Sequence, residues 1–202
     1  MKRGYFGGSF DPIHNGHIHL ALELFEKHNL DEVLFCPTSQ SPHKKHAPPL
    51  ASKEHRRAMV TAAISPFPQF TFLDYELQKT EPCYTIDTIR TLTEENRKIK
   101  YFLLLGEDSV HNFSTWKEVD ELVKLATPLV GSREKDLLPE EIENLSPELM
   151  KLLKKGWTPI PRLEISSTWI RSRVQKGEYA GHLVPGKVWE YIQTHQLYTK
   201  QK

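Results

Sequence analysis

An α/β fold is what this 202-residue sequence predicts: a doubly wound parallel sheet with helices on both faces and a small helical C-terminal part, from about residue 166 to 202. Two observations predict it. Apolar runs of strand length alternate with amphipathic helical stretches from one end to the other. The clearest of those runs, "KYFLLLG", is almost continuously apolar, as a strand covered on both faces must be. No internal repeat or low-complexity tract breaks the alternation, so the whole of 1–202 reads as a single domain.

The elements follow in order. Gly4 to Gly7 reads as a short buried strand. "HIHLALELFEKHN" is a helix, with Ile18, Leu22 and Phe25 at helical spacing and Asn29 able to terminate it. "EVLFCP" is the second strand, stopped by Pro37, and "TSQSPHKKHAPP" is a loop. A helix begins near Ser52, and "FTFLDYEL" alternates like a strand. "YTIDTIRTLTEEN" is helical, "KYFLLLG" is the central strand, "TWKEVDELVKLA" a helix and "TPLVGS" a strand. Residues 132 to 158 read as a charged, partly helical excursion at the periphery. "RLEI" reads as a last short strand, "SSTWIRSRVQKG" as a helix ending on Gly177, and "VPGKVWEYIQTHQLY" as the C-terminal helix. Right-handed crossovers place every strand-to-helix loop on one edge of such a sheet, and ligands bind there, where the strand order reverses.

The composition narrows the function. Lys and Arg number 27 against 26 Asp and Glu, so the chain is no nucleic-acid-coating protein, although a local site for small phosphates is compatible with it. The 2 cysteines, Cys36 and Cys83, lie far apart and argue for a reducing, cytoplasmic setting rather than a disulfide framework. The start "MKRGYFGG" does not read as a signal peptide, and no apolar run reaches membrane-spanning length.

Five segments carry chemistry. In "GGSFDPIHNGH", Gly7 and Gly8 allow close approach to the main chain at Ser9 and Phe10. His14 and His17 then sit one turn apart at a helix N-terminus, where the dipole favours anions and two imidazoles can donate to phosphate oxygens. The alternative is a helix cap at His14 and core packing for His17. The stretch is neither a Walker loop nor a dinucleotide fingerprint. "SPHKK" sets His43 and Lys44, with Ser39 before them, after the second strand, either as a solvated basic loop or as a cationic clamp on a triphosphate. "CYTIDT" places Tyr84 and Thr85 at a helix start, with Thr85 as N-cap, as receptor for an anionic group, or as both. "LLGEDS…TW" offers Gly106 for close approach, Asp108 for ribose hydroxyls and Trp116 as a plate for a flat ring. "ISSTWIR" opens a helix on Ser166, Ser167 and Thr168 with Arg171 one turn in, a plain cap or a second phosphate receptor.

The opening motif resembles the signature of the HxGH nucleotidylyltransferases, whose fold is Rossmann-like. Together "GGSFDPIHNGH", "PTSQSPHK", "YTIDT", "LLGEDS…TW" and "ISSTWIR" resemble the bacterial nicotinate-nucleotide adenylyltransferases over nearly the full length. The resemblance implies transfer of AMP from ATP to nicotinate mononucleotide, giving deamido-NAD and pyrophosphate, with Mg2+ arriving on ATP and no dedicated metal cage. It implies that His14, His17 and Lys44 touch the phosphates and that Asp108 and the Gly7–Gly8 turn border the adenosine. Thr85 and Trp116 would border the nicotinate ring and its carboxylate, and Ser167, Thr168 and Arg171 would hold the ATP phosphates. The chain departs from the pattern in two places: it has "TSQ" where relatives often carry Asn, and "GSREKD", with Arg133 as counterpart, where they often carry Arg-Pro-Gly. Rival readings are a phosphopantetheine adenylyltransferase, a cytidylyltransferase and a non-catalytic nucleotide sensor. The sequence does not separate nicotinate from nicotinamide mononucleotide, and it is silent on oligomeric state.

Overall fold

The computed structural model describes residues 1–39, 48–79, 81–132 and 145–200. Six parallel strands form one sheet in the order β3-β2-β1-β4-β5-β6: β1 is Lys2–Gly8, β2 Glu32–Pro37, β3 Phe70–Phe72, β4 Lys100–Gly106, β5 Ala126–Ser132 and β6 Trp157–Pro159. The chain winds outward from β1 to one edge and returns through β4 to the other, which puts the topological switch between β1 and β4.

Side-chain alternation along the strands feeds two cores. Phe6, Val33, Phe35 and Leu104 face one layer, packed with α1 (Asn15–Lys27), α2 (Lys53–Ile64), α7 (Ser167–Gln175) and α8 (Gly186–Thr194). Tyr5, Leu34, Leu103 and Leu105 face the other, packed with α3 (Thr85–Glu95), α5 (Val119–Leu125) and α6 (Pro147–Gly156). The doubly wound prediction holds. In α1 the buried residues are Ile18, Leu20, Ala21 and Leu24, while Leu22 and Phe25 lie half-buried beside them. Asn29 follows the helix with φ of 49°, the left-handed conformation that ends it.

Several boundaries differ from the sequence reading. The strand expected over "FTFLDYEL" stops at Phe72, because the chain then turns to carry Glu76 inward beneath Tyr5. The helix of "TWKEVDELVKLA" begins only at Val119, after a 3-10 turn at Phe113–Thr115 and a left-handed Glu118. Arg90 of α3 holds that turn through ion pairs to Glu118 and Glu121. "RLEI" is not a strand; the edge strand is Trp157–Pro159, and Ile160 N–H closes it on the Ser132 carbonyl. Residues 147–159 are therefore part of the layered fold rather than an excursion.

Candidate active site

At the switch point the ends of β1 and β4 splay around a cleft of about 220 Å³. Its floor is Tyr5, Gly7, Gly8 and Ser9 with Leu103 to Gly106; its walls are Glu76, Tyr84, Thr85, Trp116 and Lys117. Tyr84, not Thr85, is the N-cap of α3; Thr85 is the first helical residue, and both line the cleft. Trp116 packs edge-on against Phe113, at 5.2 Å between ring centres. Lys117 sits over the Tyr84 ring at 4.7 Å and pairs with Asp87 at 3.1 Å. This wall brings two aromatic residues and one cation to the cleft, suited to a flat anionic ring. Gly106 and Ser109 line the cleft as well, whereas Asp108 is exposed in α4 (Glu107–Val110) and does not line it.

The histidine pair lies across the Ser9–Phe10 turn from this cleft. The His14 and His17 rings stack at 3.6 Å with 22° between planes. His14 N–H donates to His17 Nδ1 at 3.2 Å, which fixes that nitrogen as an acceptor and puts the ring proton on Nε2. His14 is buried, and burial lowers its pKa from 6.5 to about 3, so the imidazole is neutral at pH 7. Its Nδ1 is buried without a hydrogen-bond partner among the described residues. Gly16 is what admits the pair: a Cβ there would stand 3.1 Å from His14 Nδ1. The helix amides are less open than the sequence suggested. Asn15 N–H is taken by the Leu183 carbonyl, and His17 and Ile18 N–H both point to the His14 carbonyl.

Phe10, expected near the nucleotide, has its ring in the core against Phe6, Phe35 and His17, so it supports the His17 ring from behind. A Cβ on Gly8 would press on that ring at 3.2 Å. The glycine pair thus makes room for the protein's own aromatics at the cleft floor.

The "ISSTWIR" segment is brought to the same place. Ser166 caps α7 by accepting from Trp169 N–H at 3.2 Å, and Ser167 Oγ donates to the Pro12 carbonyl at 2.8 Å. Arg171 donates to the Asp11 carbonyl at 2.7 Å and to Thr168 Oγ1 at 3.3 Å. Both helix N-termini, α1 and α7, therefore meet on the Asp11–Pro12 turn.

Two residues that sequence reasoning missed hold this arrangement. Buried Asp11 accepts from Leu50 N–H at 2.8 Å, Ala51 N–H at 3.1 Å and the Tyr198 hydroxyl at 2.7 Å. Burial and the Asp11 charge push the Tyr198 hydroxyl well above its ordinary pKa, so it stays a donor. Arg56, 1% exposed, donates to the carbonyls of Ser9 at 2.8 Å, Thr38 at 2.7 Å and Ser39 at 3.2 Å. It ties the loop after β1 to the loop after β2, and Ser39 is held there as a buried anchor. His43, Lys44 and Arg133 lie outside the described residues. Burial raises the Cys36 and Cys83 thiols, which removes both as thiolate nucleophiles.

Residues 5–173 match the cytidylyltransferase-like family, and the chain belongs to that family. Its curated relatives place it on one branch. It is 36% identical over 208 residues to a probable nicotinate-nucleotide adenylyltransferase of Dehalococcoides mccartyi, covering 100% of this chain and 98% of the relative. It is 39% identical over 195 residues to the probable nicotinate-nucleotide adenylyltransferase of Leifsonia xyli, covering 96% and 92%. The fold matches that of Plasmodium falciparum nicotinic acid mononucleotide adenylyltransferase, solved complexed with APC. The TM-score is 0.76 at 21% identity, over 98% of this chain and 96% of the other.

Proposed function

We propose that this chain transfers AMP from ATP to nicotinate mononucleotide, releasing pyrophosphate and forming deamido-NAD. The observation that carries the reading is the juxtaposition at one sheet edge of the stacked His14–His17 pair and an aromatic cleft ending on Trp116. The Dehalococcoides and Leifsonia relatives, by their names, support the acceptor.

In this reading the acceptor 5′-phosphate attacks the α-phosphorus of ATP in line, and pyrophosphate leaves. The acceptor phosphate is already a nucleophile at neutral pH, so the protein's work is positioning and charge neutralisation. His14 and His17 donate to the phosphate oxygens as negative charge shifts toward the bridging oxygen. Arg171, poised on the Asp11 carbonyl, binds the β- and γ-phosphates, and the family resemblance adds Lys44 as a phosphate ligand. Ser166, Ser167 and Thr168 frame them, and Gly106 at the cleft rim and the exposed Asp108 outside it border the adenosine. Thr85, Tyr84 and Trp116 receive the pyridine ring and its carboxylate, with His43 and Arg133 as further acceptor contacts. Magnesium enters as part of the ATP substrate and screens the leaving pyrophosphate. Among the described residues no group of three or more His, Cys, Asp or Glu could hold a metal ion.

The test is pyrophosphate release with ATP and magnesium against a panel of acceptors. Turnover with nicotinate mononucleotide well above that with nicotinamide mononucleotide or phosphopantetheine is expected. Turnover with phosphopantetheine alone, or nucleotide binding without release, overturns the reading.

A further inference from the structure

The acceptor cleft holds one acid that the transfer chemistry does not use. Glu76 is 3% exposed and lines the cleft. Tyr5 OH donates to its Oε1 at 2.6 Å, and Thr88 Oγ1 donates to the same oxygen at 2.9 Å. Its other oxygen, Oε2, accepts from no described residue, and the side chain lines the cleft. No cation among the described residues pairs with it. Lys117 is committed to Asp87, Lys53 donates to the Lys79 carbonyl, and Lys79 lies over Tyr75. A buried carboxylate without a counter-ion is costly unless something positive arrives.

We propose that Glu76 is the counter-charge for the quaternary ring nitrogen of the acceptor, so that the cleft selects a pyridinium over the uncharged dihydropyridine of the same shape. The inference rests on the acceptor reading above and deepens it. In a nicotinate ribotide the ring nitrogen is bonded to ribose and carries a full positive charge. Reduction to the dihydro form removes that charge and leaves the ring carboxylate, ribose and phosphate in place. Stacking on Trp116 and contacts with Thr85 at the start of α3 would serve both forms alike. Among the described residues lining the cleft, Glu76 is the one acid, and its carboxylate faces a cationic ring in surroundings where water screens it little. A purely structural role is separable from this one, because a glutamine amide oxygen would accept from Tyr5 and Thr88 just as well.

The experiment measures binding of oxidised and dihydro nicotinate mononucleotide by titration calorimetry, and pyrophosphate release from each with ATP and magnesium. Wild-type protein should bind the oxidised form at least about tenfold more tightly, a difference of about 1.4 kcal/mol. Glu76→Gln should bring the two forms to within about twofold by weakening the oxidised one alone, with ATP affinity unchanged. Equal affinity for both forms in the wild type overturns the inference, and so does a Glu76→Gln variant that weakens both alike. Should Glu76→Gln fail to fold, the wild-type ratio alone decides. Selective binding without pyrophosphate release rejects the transfer reading and leaves the charge selectivity standing. Release from both forms with equal kcat/KM does the reverse.

Discussion

Replacing Arg56 by Met tests the claim that the two strand-end loops are held by one buried guanidinium. The side chain is 1% exposed and spends three hydrogen bonds on the carbonyls of Ser9, Thr38 and Ser39. Met fills the volume of the Arg stem but donates nothing, so three carbonyls in a water-poor space lose a charged donor. Hydrogen bonds to a charged group are worth about 1.5–3 kcal/mol each, and part of that is returned because burying the cation was itself costly. Burial lowers the Arg56 pKa, which marks that cost. The net expected loss is about 3–5 kcal/mol. For a chain of this size that lowers Tm by about 10 °C. Urea and thermal unfolding followed by circular dichroism measure it, and Arg56→Lys should fall between Met and wild type. A loss below about 1 kcal/mol for Arg56→Met would refute the reasoning, since it would mean that the carbonyls find other donors.

Four further outcomes follow from the histidine pair. His17→Ala should lower kcat by about a hundredfold with Tm close to wild type, as loss of one transition-state donor does; steady-state pyrophosphate release checks it. Gly16→Ala places a Cβ 3.1 Å from His14 Nδ1 and should displace that ring, lowering kcat at least about tenfold with little change in fold. His14 is held neutral in the folded protein, its pKa lowered from 6.5 to about 3. The unfolded chain therefore binds the extra proton first, and stability is lost as pH falls through the window from 6.5 to about 3. Unfolding midpoints across that range, compared with His14→Gln, should show the wild type losing more. A histidine NMR titration should show the His14 pKa rising when inorganic triphosphate is bound.

Much of the architecture was legible because its signals are local. "KYFLLLG" is apolar on both faces and became β4, and Ser52 and Ser166 capped the helices they precede. The motif residues His14, His17, Tyr84, Thr85, Trp116 and Arg171 were singled out on turn chemistry and on the family resemblance, and the fold gathers them at one sheet edge. What escaped notice depends on distant partners. Asp11 looked like a chain stop in "FDP", yet its carboxylate binds Ala51 and Tyr198, 40 and 187 residues away. Arg56 looked like one more basic residue on a helix, because nothing local reveals that three loop carbonyls converge on it. Glu76 was read as the end of a strand. Only the Tyr5 and Thr88 hydroxyls, 71 and 12 residues away, turn it inward. The "RLEI" strand failed for a similar reason: sheet-edge pairing was claimed by Trp157–Pro159, whose alignment on β5 is set by tertiary contact.

The central claim is that the triphosphate of ATP lies on the stacked imidazoles at the start of α1. A crystal structure with a non-hydrolysable ATP analogue tests it most directly. The account predicts phosphate oxygens within about 3 Å of ring nitrogens of His14 and His17, with the Arg171 guanidinium turned toward the same group. Triphosphate density elsewhere on the sheet edge, out of reach of both rings, would contradict it.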